Sequence, residues 1–138
     1  MSTQLKDLHH WNVLGVSCID GRFIKRVTEW LSAQTDGVFD FRTEVGSSKA
    51  ILDSCDDRDG LCNVIDTALK LHSIKELYLI DHIDCGAYGG SKQFGSEAEE
   101  VKFHLDQLDK AAKLIVEKYP HLVVKKIFAD WDEIKFVE

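Results

Sequence analysis

The sequence predicts an α/β protein in which residues 1–138 form a single domain, with a mainly parallel sheet of four to five strands flanked by helices. Short apolar runs typical of buried strands alternate with longer segments whose apolar residues recur at helical spacing. This alternation favours parallel strands joined by right-handed crossovers. A chain of 138 residues with 44% hydrophobic residues is also long enough to bury a core without disulfide bonds.

The first half of the chain predicts two strands and one clear helix. Residues 13–17 form an apolar run bounded by polar residues, which is typical of a central parallel strand. Apolar residues at helical spacing predict a helix over residues 23–34, ended by Asp36-Gly37. Residues 38–41 alternate in polarity and predict a second strand. Residues 43–60 have weak periodicity, so we expect a loop there with about one helical turn.

The second half predicts two helices and three strands. Apolar spacing predicts a helix over residues 61–72, and residues 77–80 form the clearest strand of the chain. Glycines at 86, 89 and 90 predict a flexible loop after that strand. Ser96 and Glu99 have the spacing of a capping box, which predicts the start of a long amphipathic helix that stops before Pro120. Residues 122–129 and 134–137 predict the fourth and fifth strands.

Charge and composition argue against several classes of partner. The formal net charge is −7, whereas a nucleic acid or an anionic membrane surface would require a basic face. No apolar stretch approaches the roughly 18 residues of a membrane span. Residues 1–7 lack the basic and apolar regions of a signal peptide, so we expect a cytoplasmic protein. In that compartment the four cysteines are expected to be free thiols or metal ligands.

Two short clusters carry the residues that bind metals. Cys18, Asp20 and Arg22 follow the first predicted strand at alternate positions, and His82 and Cys85 follow the strand at 77–80. Ligand sites of open α/β sheets lie at the carboxyl ends of strands. Two thiolates, an imidazole and a carboxylate suit a tetrahedral zinc ion. The two clusters together therefore predict a catalytic zinc site.

Each cluster has a plainer interpretation when it is considered alone. A cysteine at the end of a buried strand is usually a small core residue. Asp20 and Arg22 could equally form a structural ion pair, and His82 alone could be a hydrogen-bonded core histidine. Asp84, between the two ligand candidates, is expected to be exposed or bonded to the backbone.

The motifs Cys18-x-Asp20-x-Arg22 and His82-x-x-Cys85-Gly resemble those of β-class carbonic anhydrases. The order of predicted elements agrees with that family over roughly residues 11–137. The resemblance implies a β-carbonic-anhydrase-like fold, with Cys18, His82 and Cys85 as zinc ligands and Asp20 paired with Arg22 as the catalytic dyad. It implies reversible hydration of carbon dioxide to bicarbonate by zinc-bound hydroxide. In some members the aspartate swings onto zinc as a fourth ligand, so Asp20 has two candidate positions.

The chain departs from this family's pattern in one segment near the site. An Arg-Asn-Ala-Gly-like segment is expected after the second strand, where this chain has Arg42-Thr-Glu44-Val-Gly46-Ser47. Glu44 adds a carboxylate that could repel bicarbonate or accept a proton. Two alternatives stay open on this ground. The protein could be a zinc hydrolase of carbonyl sulfide or carbon disulfide, which are linear like carbon dioxide, or a non-catalytic zinc-binding homologue.

The resemblance also implies a homodimer or higher homo-oligomer, although the helical arm before the first strand is short.

Other residues have plain interpretations. Cys55 and Cys62 could form a second metal site or a redox pair, but a loop thiol and a packed helix residue are expected. His104 is expected to pack in or beside the core, and His9-His10 to be solvated. Four aromatic residues could form an apolar surface patch between subunits, or they could simply pack in the core. They are Trp11, Phe23, Trp30 and Phe41.

Overall fold

Residues 4–137 are described by the computed structural model, and they contain five strands and four α-helices. The strands are β1 (Val13–Cys18), β2 (Asp40–Glu44), β3 (Glu76–His82), β4 (Val123–Ala129) and β5 (Ile134–Val137). The helices are α1 (Gly21–Gln34), α2 (Ser48–Asp53), α3 (Cys55–His72) and α4 (Glu97–Lys118). Short 3-10 turns lie at Leu5–Asp7, Gly86–Tyr88 and Ser91–Gln93.

The five strands form one sheet in the order β2-β1-β3-β4-β5. The first four are parallel to one another, and β5 runs antiparallel along the outer edge of β4. The central strands β1 and β3 are buried along almost their whole length, which explains their continuous apolar runs. The predicted α/β class with a mainly parallel sheet is confirmed.

Helices cover both faces of the sheet. Successive side chains of β3 point to opposite faces, so Leu77 and Leu79 pack into one apolar cluster with residues of α2, α3 and α4. Tyr78 and Ile80 pack on the other face with α1, whose buried stripe is Phe23, Val27 and Leu31. The residues of the expected aromatic patch belong to these clusters, Phe23 as a buried member and Trp11, Trp30 and Phe41 packed against them.

The sheet places the two sequence clusters side by side. β1 pairs directly with β3 in parallel, from Val13 opposite Glu76 to Val16 opposite Leu79. Cys18 is the last residue of β1 and His82 the last residue of β3. Both clusters therefore follow the carboxyl ends of two neighbouring strands in the middle of the sheet.

The expectation of a loop over residues 43–60 was wrong. Within this range the structure contains the end of β2, the whole of α2 and the first turn of α3. The start of α3 is polar and has no apolar period that would predict a helix. The Ser54 side chain accepts the Asp57 backbone N–H at 3.1 Å, and acidic residues in the first turn stabilise a helix N-terminus. Gly60 lies within this helix, and a Cβ there would come 3.2 Å from the Arg42 guanidinium.

Other boundaries differ by a few residues. The second strand runs over Asp40–Glu44 instead of residues 38–41, because its pairing with β1 extends to Glu44 opposite Cys18. The predicted cap of the long helix is present, since the Ser96 side chain accepts the Glu99 N–H at 3.1 Å. Within residues 4–137 no helix has the length and apolar character required to cross a membrane.

Gly46 provides a test of the backbone that leads to α2. Its φ is +79°, and a Cβ there would lie 2.9 Å from the Cβ atoms of Ala87 and Lys49. Because both the conformation and the space disfavour a side chain, we expect Gly46→Ala to lower the free energy of unfolding by about 2–4 kcal/mol in a denaturant titration. Gly21→Ala is the matched control, because nothing lies within 4 Å of its Cβ position. Equal stability of the two variants would contradict this account.

Candidate metal centre

Three ligand atoms converge where β1 and β3 end. The two sulfurs of Cys18 and Cys85 and a ring nitrogen of His82 all lie within 4.8 Å of one another. All three residues are buried, with 5%, 2% and 2% of their surface exposed for Cys18, His82 and Cys85. Side chains predicted as ligands from two distant parts of the sequence thus occupy one small volume, and the group could hold a metal ion.

The orientation of His82 is set by two contacts. Its Nδ1 lies 2.7 Å from the Ile83 carbonyl oxygen, which can only accept, so Nδ1 carries the proton. The Phe23 ring stacks on the imidazole at a centroid distance of 4.3 Å. Nε2 is left buried without a hydrogen-bond partner among residues 4–137. A free imidazole lone pair beside two sulfurs is a donor set that fits a zinc ion.

The pKa values of these three side chains are shifted in different directions. A hydrogen bond with Cys85 lowers the pKa of Cys18, and the same bond, together with burial, raises the pKa of Cys85. Burial alone would lower the pKa of His82, but the adjacent Cys18 sulfur raises it above the ordinary value. The Cys18 sulfur therefore carries negative charge readily, which favours the capture of a cation.

Asp20 lies beside the three ligand atoms and is held by Arg22. Arg22 Nη2 and Nε donate to the Asp20 carboxylate at 2.6 and 3.1 Å, and the Arg22 backbone N–H donates to it at 2.9 Å. These bonds lower the pKa of Asp20 to about 2. The Asp20 Oδ2 lies 3.7 Å from His82 Nε2. Asp20 is thus paired with Arg22 and stands next to the ligand group.

Arg22 also binds the segment between His82 and Cys85. Its Nη1 donates to the Asp84 carboxylate and its Nη2 to the Asp84 carbonyl oxygen, each at 3.0 Å. Trp131 lies in the turn between β4 and β5, and the centroid of its ring is 5.2 Å from the Arg22 guanidinium. Asp84, expected to be exposed or bonded to the backbone, is half-buried and accepts the Ser91 N–H at 2.8 Å. Arg22 therefore connects the exit of β1 to the exit of β3.

The sequence analysis missed a buried polar network beside the site. Asp81, the residue before His82, accepts hydrogen bonds from Ser48 Oγ at 2.7 Å and from His104 Nδ1 at 2.8 Å. Ser48 Oγ also lies 2.7 Å from the Tyr88 hydroxyl. His104 was expected only to pack, and it is indeed fully buried. A charged residue at the end of the apolar run 77–80 was the one signal of this network in the sequence.

The extra carboxylate of the divergent segment has a partner. Glu44 is 7% exposed, and its carboxylate accepts a hydrogen bond from Arg42 Nε at 2.8 Å. The pair opposes Cys18 across the sheet, since Glu44 is the register partner of Cys18. Because the arginine balances its charge, Glu44 does not present a bare carboxylate to the site.

Other candidate ligands stay apart from this group. Cys55 is exposed and Cys62 is buried on α3, and neither forms a disulfide. Across residues 4–137, the cluster of Cys18, His82 and Cys85 is the one set of three or more such side chains close enough to share a metal ion. The simpler interpretation of Cys55 and Cys62 is therefore the one that fits the structure.

Comparison with known proteins identifies the family of the chain. A family model described as "Putative carbonic anhydrase" matches residues 9–137. The chain belongs to this family. The match covers both sequence clusters and every strand of the sheet.

Two curated relatives of this carbonic anhydrase family member are uncharacterized proteins. One, from Rickettsia bellii, is 31% identical over 128 residues, which cover 87% of this chain and 77% of the relative. The other, from Rickettsia conorii, is 33% identical over 127 residues, which cover 87% of this chain and 68% of the relative.

A solved structure supports the fold. The chain is similar to the crystal structure of the β-carbonic anhydrase CafA of Aspergillus fumigatus, with a TM-score of 0.53 and 17% sequence identity. The match covers 94% of this chain and 76% of the fungal chain. The likeness confirms a β-carbonic-anhydrase-like architecture for this divergent family member.

The pairing of Asp20 with Arg22 predicts a measurable titration. Arg22 holds the pKa of Asp20 at about 2, so the pair contributes stability above the ordinary aspartate pKa of about 3.9 and loses it as the pH falls towards 2. In Arg22→Ala, we expect the Asp20 carboxyl carbon to titrate near pH 4 in a carbon-13 NMR experiment. Lys49→Ala, which breaks an exposed ion pair with Asp53, is the control and should leave Asp20 unchanged. An unaltered Asp20 titration in Arg22→Ala would contradict the assignment.

Proposed function

We propose that this protein is a zinc-dependent carbonic anhydrase that catalyses the reversible hydration of carbon dioxide to bicarbonate. The observation that carries the proposal is the convergence of Cys18, His82 and Cys85 within 4.8 Å, beside a carboxylate held ionised by Arg22. Membership of the carbonic anhydrase family and the likeness of the fold support it.

The donor set defines what the ion would do. Cys18, His82 and Cys85 would hold zinc as two thiolates and one neutral imidazole, which leaves the site formally neutral. Zinc supplies a nucleophile near neutral pH, because it lowers the pKa of the water that it binds. With these three protein ligands, the ion would still be able to bind water or substrate.

Asp20 serves as the hydrogen-bond acceptor in this mechanism. Its low pKa keeps it a carboxylate throughout the physiological range, so it accepts a hydrogen bond from a neighbouring hydroxyl group and has no proton to donate. A fixed acceptor orients the nucleophile, so that a lone pair faces the substrate. With Asp20 paired to Arg22, the proposal favours the state in which Asp20 is not a fourth ligand.

Arg22 serves as the support of Asp20. Its planar guanidinium reaches both carboxylate oxygens and cannot lose its proton, which fixes the position and the charge of Asp20. The contacts of Arg22 with Asp84 keep the same guanidinium beside the ligand segment. Loss of Arg22 is therefore expected to reduce activity first and zinc affinity to a smaller extent.

Rapid-mixing assays test the reaction. We expect the zinc-loaded protein to hydrate carbon dioxide at pH 8 to 9, and Asp20→Asn to retain zinc while its kcat/KM falls by about 10²-fold, because the charge of the acceptor and its ion pair with Arg22 are lost. Asp53→Asn, which removes an exposed carboxylate bound to Lys49, should keep full activity.

The same preparations separate the alternative functions. Absence of hydration above the buffer rate would overturn the proposed reaction. Sulfide release from carbonyl sulfide or carbon disulfide would then indicate a hydrolase. Zinc binding with neither reaction would indicate a non-catalytic zinc protein, in which the change of residues 43–47 reflects lost activity.

Metal analysis tests the ligands. We expect Cys85→Ser to lower the zinc content far below one ion per chain and to destabilise the fold, because metal binding and folding are coupled. Cys55→Ser makes the same substitution at an exposed cysteine and should retain zinc and stability. Equal zinc content in Cys85→Ser and the wild type, measured by elemental analysis, would exclude Cys85 as a ligand.

We also propose the partners, the oligomeric state and the cellular location of the protein. Carbon dioxide and bicarbonate are the small-molecule partners, and no nucleic-acid or membrane partner is expected. A homodimer or higher homo-oligomer and a cytoplasmic location stay predictions, which sedimentation analysis and localisation of the tagged protein can test.

A further inference from the structure

We propose that Glu100 is a positioning residue for His82 and acts on it through the peptide group that joins Ile83 to Asp84. The inference rests on the proposed function, since His82 matters here as a metal ligand. It concerns a residue outside both sequence motifs, on the helix α4. The contacts on either side of the Ile83–Asp84 peptide carry the argument.

Glu100 is a buried carboxylate with defined partners. It is 1% exposed, and its Oε2 accepts the Asp84 backbone N–H at 2.7 Å. Its Oε1 accepts the Ser91 hydroxyl at 2.8 Å. Both partners are neutral, and a buried carboxylate without a cationic partner is costly compared with an apolar side chain. The first turn of α4 already has exposed acidic residues, Glu97 and Glu99, to complement the helix dipole.

The peptide that Glu100 binds also binds His82. The Asp84 N–H points to Glu100, and the carbonyl oxygen of the same peptide group, which belongs to Ile83, accepts the Nδ1–H of His82 at 2.7 Å. Hydrogen bonds at the two ends of one peptide polarise each other and strengthen together. A carboxylate is thus linked to the imidazole through a single peptide group.

This link determines which ring nitrogen is free. With Nδ1–H committed to Ile83, the lone pair of His82 is on Nε2, the atom that lies buried beside the two sulfurs. Groups that bind the second nitrogen of a metal-bound histidine fix its tautomer and increase its basicity as a ligand. Here the carboxylate that performs this role is displaced by one peptide from the imidazole.

The backbone around the peptide needs an external support. Asp84 has a φ of +57°, a left-handed conformation that is unfavourable for a residue other than glycine. The other end of the segment is already held, because Asp81 is bound by Ser48 and His104. The Ile83 N–H donates to the Ala129 carbonyl oxygen at 2.8 Å, and Arg22 binds the Asp84 carbonyl oxygen, so the peptides on either side are held as well. The Glu100 carboxylate is the group that binds the N–H of the Ile83–Asp84 peptide itself.

The experiment compares Glu100→Met and Glu100→Gln with the wild type. We expect the zinc dissociation constant, measured by competition with a chromophoric chelator, to rise about 10- to 100-fold in Glu100→Met. Glu100→Gln keeps an acceptor for the Asp84 N–H but loses the charge, so its affinity should lie between the two. Glu99→Met is the matched control on the same helix, because the Glu99 carboxylate accepts the Gly95 N–H, which lies outside the ligand segment, and this variant should bind zinc as the wild type does.

Nitrogen-15 NMR of the His82 ring gives the readout that a general loss of stability would not produce. We expect the Nδ1 resonance to move progressively from wild type to Glu100→Gln to Glu100→Met, in both the metal-free and the zinc-loaded protein. If Glu100→Met does not fold, Glu100→Gln decides: a shifted Nδ1 resonance and about threefold weaker zinc binding support the inference.

Unchanged ring resonances and zinc affinity in the folded variants would overturn the inference, as would an equal loss of affinity in Glu99→Met. Failure of the proposed function has a different signature, because the wild type would then not hydrate carbon dioxide, whether or not it binds zinc. The ring resonances of the metal-free protein still decide the role of Glu100 in that case.

Discussion

The parallel pairing of β1 with β3 is the constraint on which the site depends. It places the carboxyl ends of two central strands side by side, so that Cys18 and His82 leave the sheet at one edge. The pairing is stable because both strands are buried between two helical layers, where continuous apolar side chains remove a large nonpolar surface from water. Cys18 and His82 end these two strands and Cys85 follows β3 by three residues, so three possible ligand atoms lie within 4.8 Å of one another.

Charged side chains hold the segments that follow these two strands. Arg22 joins Asp20, at the exit of β1, to Asp84, at the exit of β3. Asp81 and Glu100 connect the same segment to helices on one face of the sheet. Each buried carboxylate accepts several hydrogen bonds, which reduces the desolvation penalty that an isolated charge would have. The site is therefore held by polar contacts on a hydrophobic scaffold.

How much of this could be predicted from the sequence differs between the scaffold and its supports. The strands β1 and β3 were predicted because buried parallel strands have uninterrupted apolar runs. Their ligands were predicted because thiols and an imidazole directly follow those runs. The helix α2 was missed because six residues are too few to show a helical period, and the start of α3 was missed because residues 56–59 are all charged. The partners of Asp81 could not be predicted, since Ser48 and His104 lie 33 and 23 residues away and meet it only through helix packing. Glu100 was hidden in an acidic run whose other members are exposed.

The order of these groups along the chain has a consequence for biosynthesis. The donor atoms of residues 18, 82 and 85 leave the ribosome before α4, the helix that contains Glu100 and His104. An ion that meets the nascent chain early encounters the two thiols and the imidazole on a segment that has no support from that helix. The arrangement of these side chains is complete only when the carboxyl-terminal third of the polypeptide has docked, so loading of the proposed metal site would be a late event.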